Sequence, residues 1–395
     1  MYERPIVQQV VARMKEPRRF IQVVTGPRQV GKTTILKQAL AAAGVPHAYF
    51  SADAVAGGGL DWIGTAWESA RTQFRAFGKR EFLLVVDEIQ KIRGWSEAVK
   101  REWDADTFDG VPLKVVLCGS SRVLLERGLA DSMAGRFEQI RVPHWTWPEM
   151  RDAFGWTLER HIWFGAYPGA VPLADDAERW AQYIGGSIAD ATINKDVLVG
   201  TSVTKPTLLR QTLELGSAYS GRELSLTKMV GALQDAGNTT TLSGYLALLD
   251  TSGLLAGLGK YANDAARRRA SVPKMQVHNS ALRNFWAGRS IASAVTDPEE
   301  WGRCVESAVG AHLLSQSFAG GFNVHYWRDG DLEVDYVLRR GDTLAAIEVK
   351  TNAESSTDGL AEFRRRFHPA ASLVVGPSGM PLADFLSLSP SDLLR

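Results

Sequence analysis

Gly26, Gly31, Lys32 and Thr33 stand at the spacing G-x-x-x-x-G-K-[ST] within TGPRQVGKTT, residues 25–34. A loop that binds polyphosphate needs this spacing, because its backbone N–H groups must turn inward on the phosphate oxygens and only glycine tolerates the tightest positions. Lys32 then reaches the β- and γ-phosphates, and the Thr33 hydroxyl is a ligand for Mg²⁺. The loop positions Gly26, Pro27, Arg28, Gln29, Val30, Gly31, Lys32, Thr33 and Thr34 are the expected ATP contacts. The apolar run Ile21, Val23, Val24 predicts a strand before the loop, and KTTILKQALAA predicts a helix after it, its N-terminal dipole aimed at the same anion.

A second chemical pair lies in EFLLVVDEIQ, residues 81–90. The continuous apolar stretch from Phe82 to Val86 predicts a strand covered on both faces, as in a parallel sheet, and Asp87 and Glu88 then fall at its C-terminal end, where such sheets bind ligands. Asp87 is expected in the Mg²⁺ shell, and Glu88 is expected to orient and polarise the attacking water. That pairing suits a hydrolase rather than a kinase, which must keep water from the γ-phosphate. LKVVLCGSS predicts a third buried strand whose end offers Ser120 to the γ-phosphate or the water; an ordinary strand end followed by a helix cap is the alternative.

The run of TGPRQVGKTT, DEIQ, LCGSSRVLL and DSMAGRFEQIRVPHWTWPEM resembles the AAA+ ATPases of bacteria and archaea in which the ATPase core precedes a domain of unknown function with a nuclease-like end. The resemblance implies an α/β phosphate-loop core with an additional strand, a helical lid and possible assembly into a homo-oligomeric ring. It also implies an arginine finger delivered between subunits, with Arg136 in AGRF and Arg122 as candidates.

Downstream, helices broken by Pro and Gly fill residues 147–200, and GTSVTKPT supplies a polar linker. The segment LSLTKMVGAL, QDAGN and TTTLSGYLALLDTSGLLAGLGKY predicts two short helices and a strand, similar to a winged helix-turn-helix. Its second helix offers Thr239, Thr240, Thr241, Ser243 and Tyr245 but no cation; Arg267, Arg268 and Arg269, followed by Pro273 and Lys274, are the candidate basic wing.

In the last third, Glu306 falls on the apolar stripe of a predicted helix with Val309 and Leu313, an odd place for an unpartnered carboxylate. EVDYVLRRGDTLAAIEVK predicts a hairpin turning at Gly341-Asp342, which pairs Arg340 with Thr343 and sets Asp335 across from Glu348. Glu348 and Lys350 share a face. The pattern resembles the D…ExK core of PD-(D/E)XK nucleases, which implies a restriction-endonuclease-type α/β domain in which Glu306, Asp335 and Glu348 hold Mg²⁺ and Lys350 positions the water. A retained fold with no cutting activity is the alternative. Arg328, Arg339, Arg340 and Arg364 to Arg366 are the cations near this hairpin.

Four domains follow: a phosphate-loop core (1–146), a lid (147–200), a winged-helix-like domain (201–275) and a nuclease-like domain (276–395). A net charge of +1 over 395 residues excludes a globally basic nucleic-acid binder, and two cysteines exclude a disulfide framework or a cysteine-rich metal site. No run of about eighteen apolar residues is present, so a soluble cytoplasmic protein without a membrane partner is expected. The function expected is ATP hydrolysis acting on nucleic acid, DNA before RNA, with Mg²⁺ and with or without cleavage. The alternative is a non-nucleolytic ATP switch whose C-terminal half holds a partner.

Overall fold

Five strands, β1 (Ile21–Thr25), β2 (His47–Ser51), β3 (Phe82–Asp87), β4 (Leu113–Gly119) and β5 (Phe137–Arg141), form one sheet in the order β2-β3-β4-β1-β5. Every pairing in it is parallel. Alternate residues serve opposite faces. Ile21, Val23, Leu84, Val86 and Leu117 pack with α3 (Asp61–Phe77) and α4 (Trp95–Phe108). Val24, Leu83, Val85 and Val116 pack with α1 (Ile6–Lys15) and α2 (Lys32–Ala43). Cover on both faces explains why β3 and β4 read as unbroken apolar runs, and all six residues of β3 are buried. The computed structural model describes residues 2–55, 59–78, 81–120, 125, 128–129, 132–199, 201, 203–235, 237–262, 271–352 and 356–395.

This sheet belongs to the first of two compact units, Met1–Val142 and Pro143–Arg395. In the second unit, residues 147–200, 201–275 and 276–395 share one hydrophobic core running from Trp147 through Leu209, Leu249 and Leu313 to Leu394. The first segment holds helices Trp147–Phe154, Leu158–Phe164 and Ala177–Gln182 and π-helical turns at Tyr183–Asp190 and Ile193–Val197. The second holds α5 (Pro206–Ala218), α6 (Leu226–Ala232), α7 (Thr239–Thr251) and an antiparallel pair of strands, β6 (Leu255–Leu258) and β7 (Lys274–Val277). The side chain of Asn238 caps α7 by accepting from the Thr241 N–H.

In the third segment, α8 (Pro298–Gly320) lies with a sheet of order β11-β10-β9-β8. Its strands are β8 (Asn323–Asp329), β9 (Leu332–Arg340), β10 (Thr343–Val349) and β11 (Ala371–Val375). The β9–β10 hairpin pairs Thr343 with Arg340. Gly341 at φ 59° supplies the left-handed residue its turn requires. Finally, α9 (Asp358–Phe367) seats Leu360 and Phe363 on Trp327, Val334 and Ala346 of this sheet.

Four of the histidines, His144, His161, His278 and His312, line one small cavity of the second unit. Burial pulls His161 down to about 3, with His312 adding to the effect. Burial pulls His312 down to about 4, against the opposing hydrogen bond at Leu388. An unfolded histidine takes up its proton near 6.5, so the stability these rings contribute is complete above pH 6.5 and is lost as pH falls toward 4. Glu306 and Glu348, both raised to about 7 mainly by burial, act in the opposite sense between pH 4.5 and 7. The difference between variants therefore isolates the histidines. Replacing both, His161→Phe with His312→Phe, is expected to cut the acid-induced fall in melting temperature between pH 6.5 and 4.5 by roughly 5–10 °C, read by circular dichroism at each pH.

Candidate nucleotide site and acid cluster

The loop between β1 and α2 follows the route that phosphate binding demands. Gln29 at φ 61° and Gly31 at φ 88° take the left-handed region, turning the chain so that Gly31 caps α2. A Cβ on Gly26 would lie 2.4 Å from the Val142 carbonyl oxygen, so the loop start has room for glycine alone. Val30 is fully buried and anchors the loop, its carbonyl accepting from Arg4 Nη1 at 3.2 Å. Lys32 is 6% exposed and donates to the carbonyls of Gly26 at 3.0 Å and Pro27 at 2.7 Å, which holds the ammonium within the loop. Pro27, Arg28 and Thr34 complete the loop and the first turn of α2.

Because β4 separates β1 from β3, the ends of three adjacent strands meet beside this loop. Thr33 Oγ1, on α2, donates to Asp87 Oδ2 at 2.9 Å. Tyr49 Oη, from β2, donates to the same oxygen at 2.7 Å, and its hydroxyl pKa is pushed up by burial and by that bond. A hydroxyl and a carboxylate in contact form an oxygen donor set that fits a hard divalent cation, so Thr33 and Asp87 would hold Mg²⁺. Next along the chain, Glu88 adopts φ 53°, a left-handed conformation unusual for a residue other than glycine and common at functional sites. Its Oε2 accepts from Ser120 Oγ at 2.8 Å and from Gln90 Nε2 at 2.7 Å. Thus Lys32, Thr33, Asp87, Glu88 and Ser120, chosen from three separate motifs, are brought to one end of one sheet.

Tyr49 and Gln90 were not anticipated from the sequence. Tyr49 sits in a short, partly buried strand with no motif. Gln90 was visible only as the fourth letter of DEIQ.

Arg136 precedes β5, and its carbonyl accepts from the Ile21 N–H at the start of β1, the end of that strand away from the phosphate loop. Its guanidinium is bidentate on Asp104, at 2.8 and 2.9 Å, and this pair holds the Asp104 carboxyl below the usual range. Arg122 lies outside the described residues.

In the second unit, Asp335 stands across from Glu348, one step beyond the Tyr336–Ile347 pair, and Asp335 Oδ2 accepts from the Val349 N–H at 2.7 Å. Lys350 pairs with Glu348 at 2.7 Å. Burial, then Asp335, raises Glu348 to about 7 against the pull of Lys350. Glu306 reaches the same region from α8 but meets Lys274 of β7, whose ammonium lies 2.6 Å from Glu306 Oε1, 3.5 Å from Asp335 Oδ1 and 3.7 Å from Glu333 Oε1. Burial would favour the neutral amine, but Glu306, Asp335, Tyr336 and Glu333 outweigh it and hold Lys274 protonated.

Glu306, Asp335 and Glu348 reach one region, and two lysines stand among their carboxylates. Among the described residues no three His, Cys, Asp or Glu side chains are placed to hold a metal ion. Glu306 and Asp335 face an ammonium, and Glu348 faces Lys350.

Two expectations about nucleic-acid contacts change as well. Lys274 is fully buried, so it is no part of a basic wing, and Arg267 to Arg269 lie outside the described residues. Tyr245 is buried with its hydroxyl accepting from the Lys205 N–H, which leaves Thr239, Thr240 and Ser243 as the exposed residues of the α7 start. The arginines around the hairpin have partners. Arg328 pairs with Glu223, Arg340 donates to the Gly320 carbonyl, Arg364 to the Ser372 carbonyl, and Arg365 and Arg366 pair with Glu362.

Residues 18–151 match the model of an AAA domain. The match covers most of the first unit. Residues 155–292 and 301–387 match two domains of unknown function, DUF8612 and DUF4143. A search of curated proteins found no match. Among solved structures, the chain is similar to the RuvB Holliday junction branch migration motor of Thermotoga maritima at 17% identity, a TM-score of 0.33, and coverage of 64% of this chain and 86% of that one. It is similar to the Aeropyrum pernix ORC1 protein in complex with DNA at 14% identity, a TM-score of 0.30, and coverage of 73% and 93%. AMPPCP-bound DnaA from Aquifex aeolicus matches at 14% identity and a TM-score of 0.30, over 62% of this chain and 86% of that one. TM-scores of this size carry no argument about this chain, and the reading of the AAA domain rests on its own residues.

Ser120 and Gln90 each give Glu88 one charge-assisted hydrogen bond. Ser120→Ala or Gln90→Ala is expected to lower ATP turnover roughly tenfold, the size of one such bond, while leaving nucleotide affinity within about twofold. Phosphate release and nucleotide titration on the same preparations check both halves.

Proposed function

We propose that the chain hydrolyses ATP and that hydrolysis acts on a nucleic acid, DNA before RNA, held by the second unit. The observation that carries the ATPase half is the meeting of Lys32, Thr33, Asp87, Glu88 and Ser120 at the end of one sheet. In this reading, loop N–H groups and the N-terminus of α2 hold the phosphates, and the Lys32 ammonium turns from the Gly26 and Pro27 carbonyls to the β- and γ-phosphates. Thr33 and Asp87 hold Mg²⁺, which would offset the charge that builds on the phosphate oxygens. Glu88 accepts a proton from the attacking water and aims it, with Ser120 and Gln90 fixing the carboxylate.

A homo-oligomer completes the site. Arg136 sits at the end of the strands away from its own loop, so in this reading it serves the γ-phosphate of a neighbouring chain, after leaving Asp104. A ring is the closed form of such head-to-tail contacts.

Nucleic acid as the partner is supported by the order α6, α7, β6, β7, two helices followed by a two-stranded ribbon, which is the winged-helix order. The α7 start is neutral, so the phosphate contacts must come from elsewhere. Cleavage is not part of the proposal. Lys274 among the acids favours the reading in which the C-terminal part holds its partner without cutting it.

Two substitutions separate binding from chemistry. Lys32→Ala is expected to weaken nucleotide binding, whereas Glu88→Gln is expected to keep ATP bound and slow turnover on the order of 10²- to 10³-fold. Parental turnover by Glu88→Gln would remove Glu88 from the mechanism.

A further inference from the structure

We propose that Lys274 is the built-in cation of the acid cluster: its ammonium takes the position among Glu306, Asp335 and Glu333 that a divalent ion would otherwise occupy, so this centre joins two domains and binds no catalytic metal. The inference does not rest on the ATPase reading, whose residues lie in the other unit.

The surroundings of Lys274 are those of a bound cation. The residue is 0% exposed. Three carboxylates lie within 3.7 Å of its nitrogen, the Asp335 carbonyl accepts from it at 3.3 Å, and the Tyr336 ring lies below it with its centroid at 4.9 Å. One lysine thus receives the oxygen-rich shell that a metal would need. A divalent ion entering the same shell would meet a buried positive charge and would compete for Glu306 Oε1, already in contact with the ammonium at 2.6 Å.

The strand that carries the lysine is fitted there by a second residue. Lys274 and Gln276 are two apart on β7 and so project from the same face. Gln276 Oε1 accepts from Tyr336 Oη at 2.9 Å, and Gln276 Nε2 donates to the Ser307 carbonyl at 2.9 Å. The Glu306 carbonyl, also 2.9 Å from Tyr336 Oη, shares that one hydroxyl proton. The fit is close, since a Cβ on Gly310 of α8 would lie 2.1 Å from Gln276 Oε1 and 2.4 Å from Tyr336 Oη. Lys274 and Gln276 belong to the segment 155–292, whereas Glu306, Asp335 and Tyr336 belong to 301–387. The cluster therefore ties one domain to the other by charge and hydrogen bonds at the place where a nuclease would hold its metal.

The neighbouring carboxylates also have cations in reach. Lys350 pairs with Glu348 at 2.7 Å, and Arg328 reaches Glu223 at 2.8 Å and Glu333 at 3.6 Å.

The test is a Mn²⁺ titration of the full chain without nucleotide, followed by the paramagnetic signal of free Mn²⁺. The parent and its Asp335→Asn variant are expected to bind the same number of ions. Lys274→Met, which keeps an unbranched side chain one atom shorter and removes the charge, is expected to gain one Mn²⁺ site, at least tenfold tighter than anything in the parent at this cluster. Adding Asp335→Asn should remove that site. The melting temperature of Lys274→Met should rise with Mn²⁺ by more than that of the parent or of the double variant. A parental Mn²⁺ site lost on Asp335→Asn would overturn the proposal, and so would a folded Lys274→Met chain with no added site. If Lys274→Met does not fold, the parental comparison decides alone: equal stoichiometry supports the assignment and a lost ion overturns it.

Discussion

The chemistry of the first unit depends on one topological constraint, the insertion of β4 between β1 and β3. With β1 and β3 adjacent, Asp87 would stand next to the loop and no third strand end would stand beside Glu88. With β4 between them, Ser120 at its end reaches Glu88, and Asp87 is still reached by Thr33 from the start of α2. Residues spread over about ninety positions of sequence thereby meet within the same few ångströms. The left-handed turn at Glu88 is the local cost of the arrangement, because it swings the carboxylate away from the line of β3 and toward Ser120 and Gln90.

The second unit solves a different electrostatic problem. Glu306, Glu333, Asp335 and Glu348 are gathered in a partly desolvated place, and like charges at such distances disfavour one another's ionised forms. Lysines from two directions answer this, Lys274 from β7 and Lys350 from the end of β10. A buried ammonium among carboxylates is costly to assemble but specific, since a wrong register of β7 would leave both signs unpaired. The hydrophobic core common to residues 147–200, 201–275 and 276–395 gives the same picture of segments that hold one another.

Much of the first unit is legible in the sequence because its signals are local. The glycine spacing, the apolar run into Asp87 and Glu88, and the strand ending at Ser120 each sit within ten residues. The β9–β10 register was also legible, because a two-residue turn fixes every pair after it, down to Asp335 across from Glu348. The role of Lys274 was not legible, and the reason is physical: its partners lie 32 to 61 positions away on a helix and a strand, and nothing in SVPKMQV signals that the lysine faces inward. Tyr49 and Gln90 escaped for the same reason. Both take their meaning from a neighbouring strand, which periodicity along the chain does not report.

The most direct measurement is phosphate release from ATP by the unaltered chain with Mg²⁺, made without nucleic acid and then with single-stranded and duplex DNA. The expected result is a steady basal turnover that rises several-fold with at least one of the two DNA forms. No release above background under any of these conditions would contradict the account, and a turnover indifferent to nucleic acid would contradict its second half.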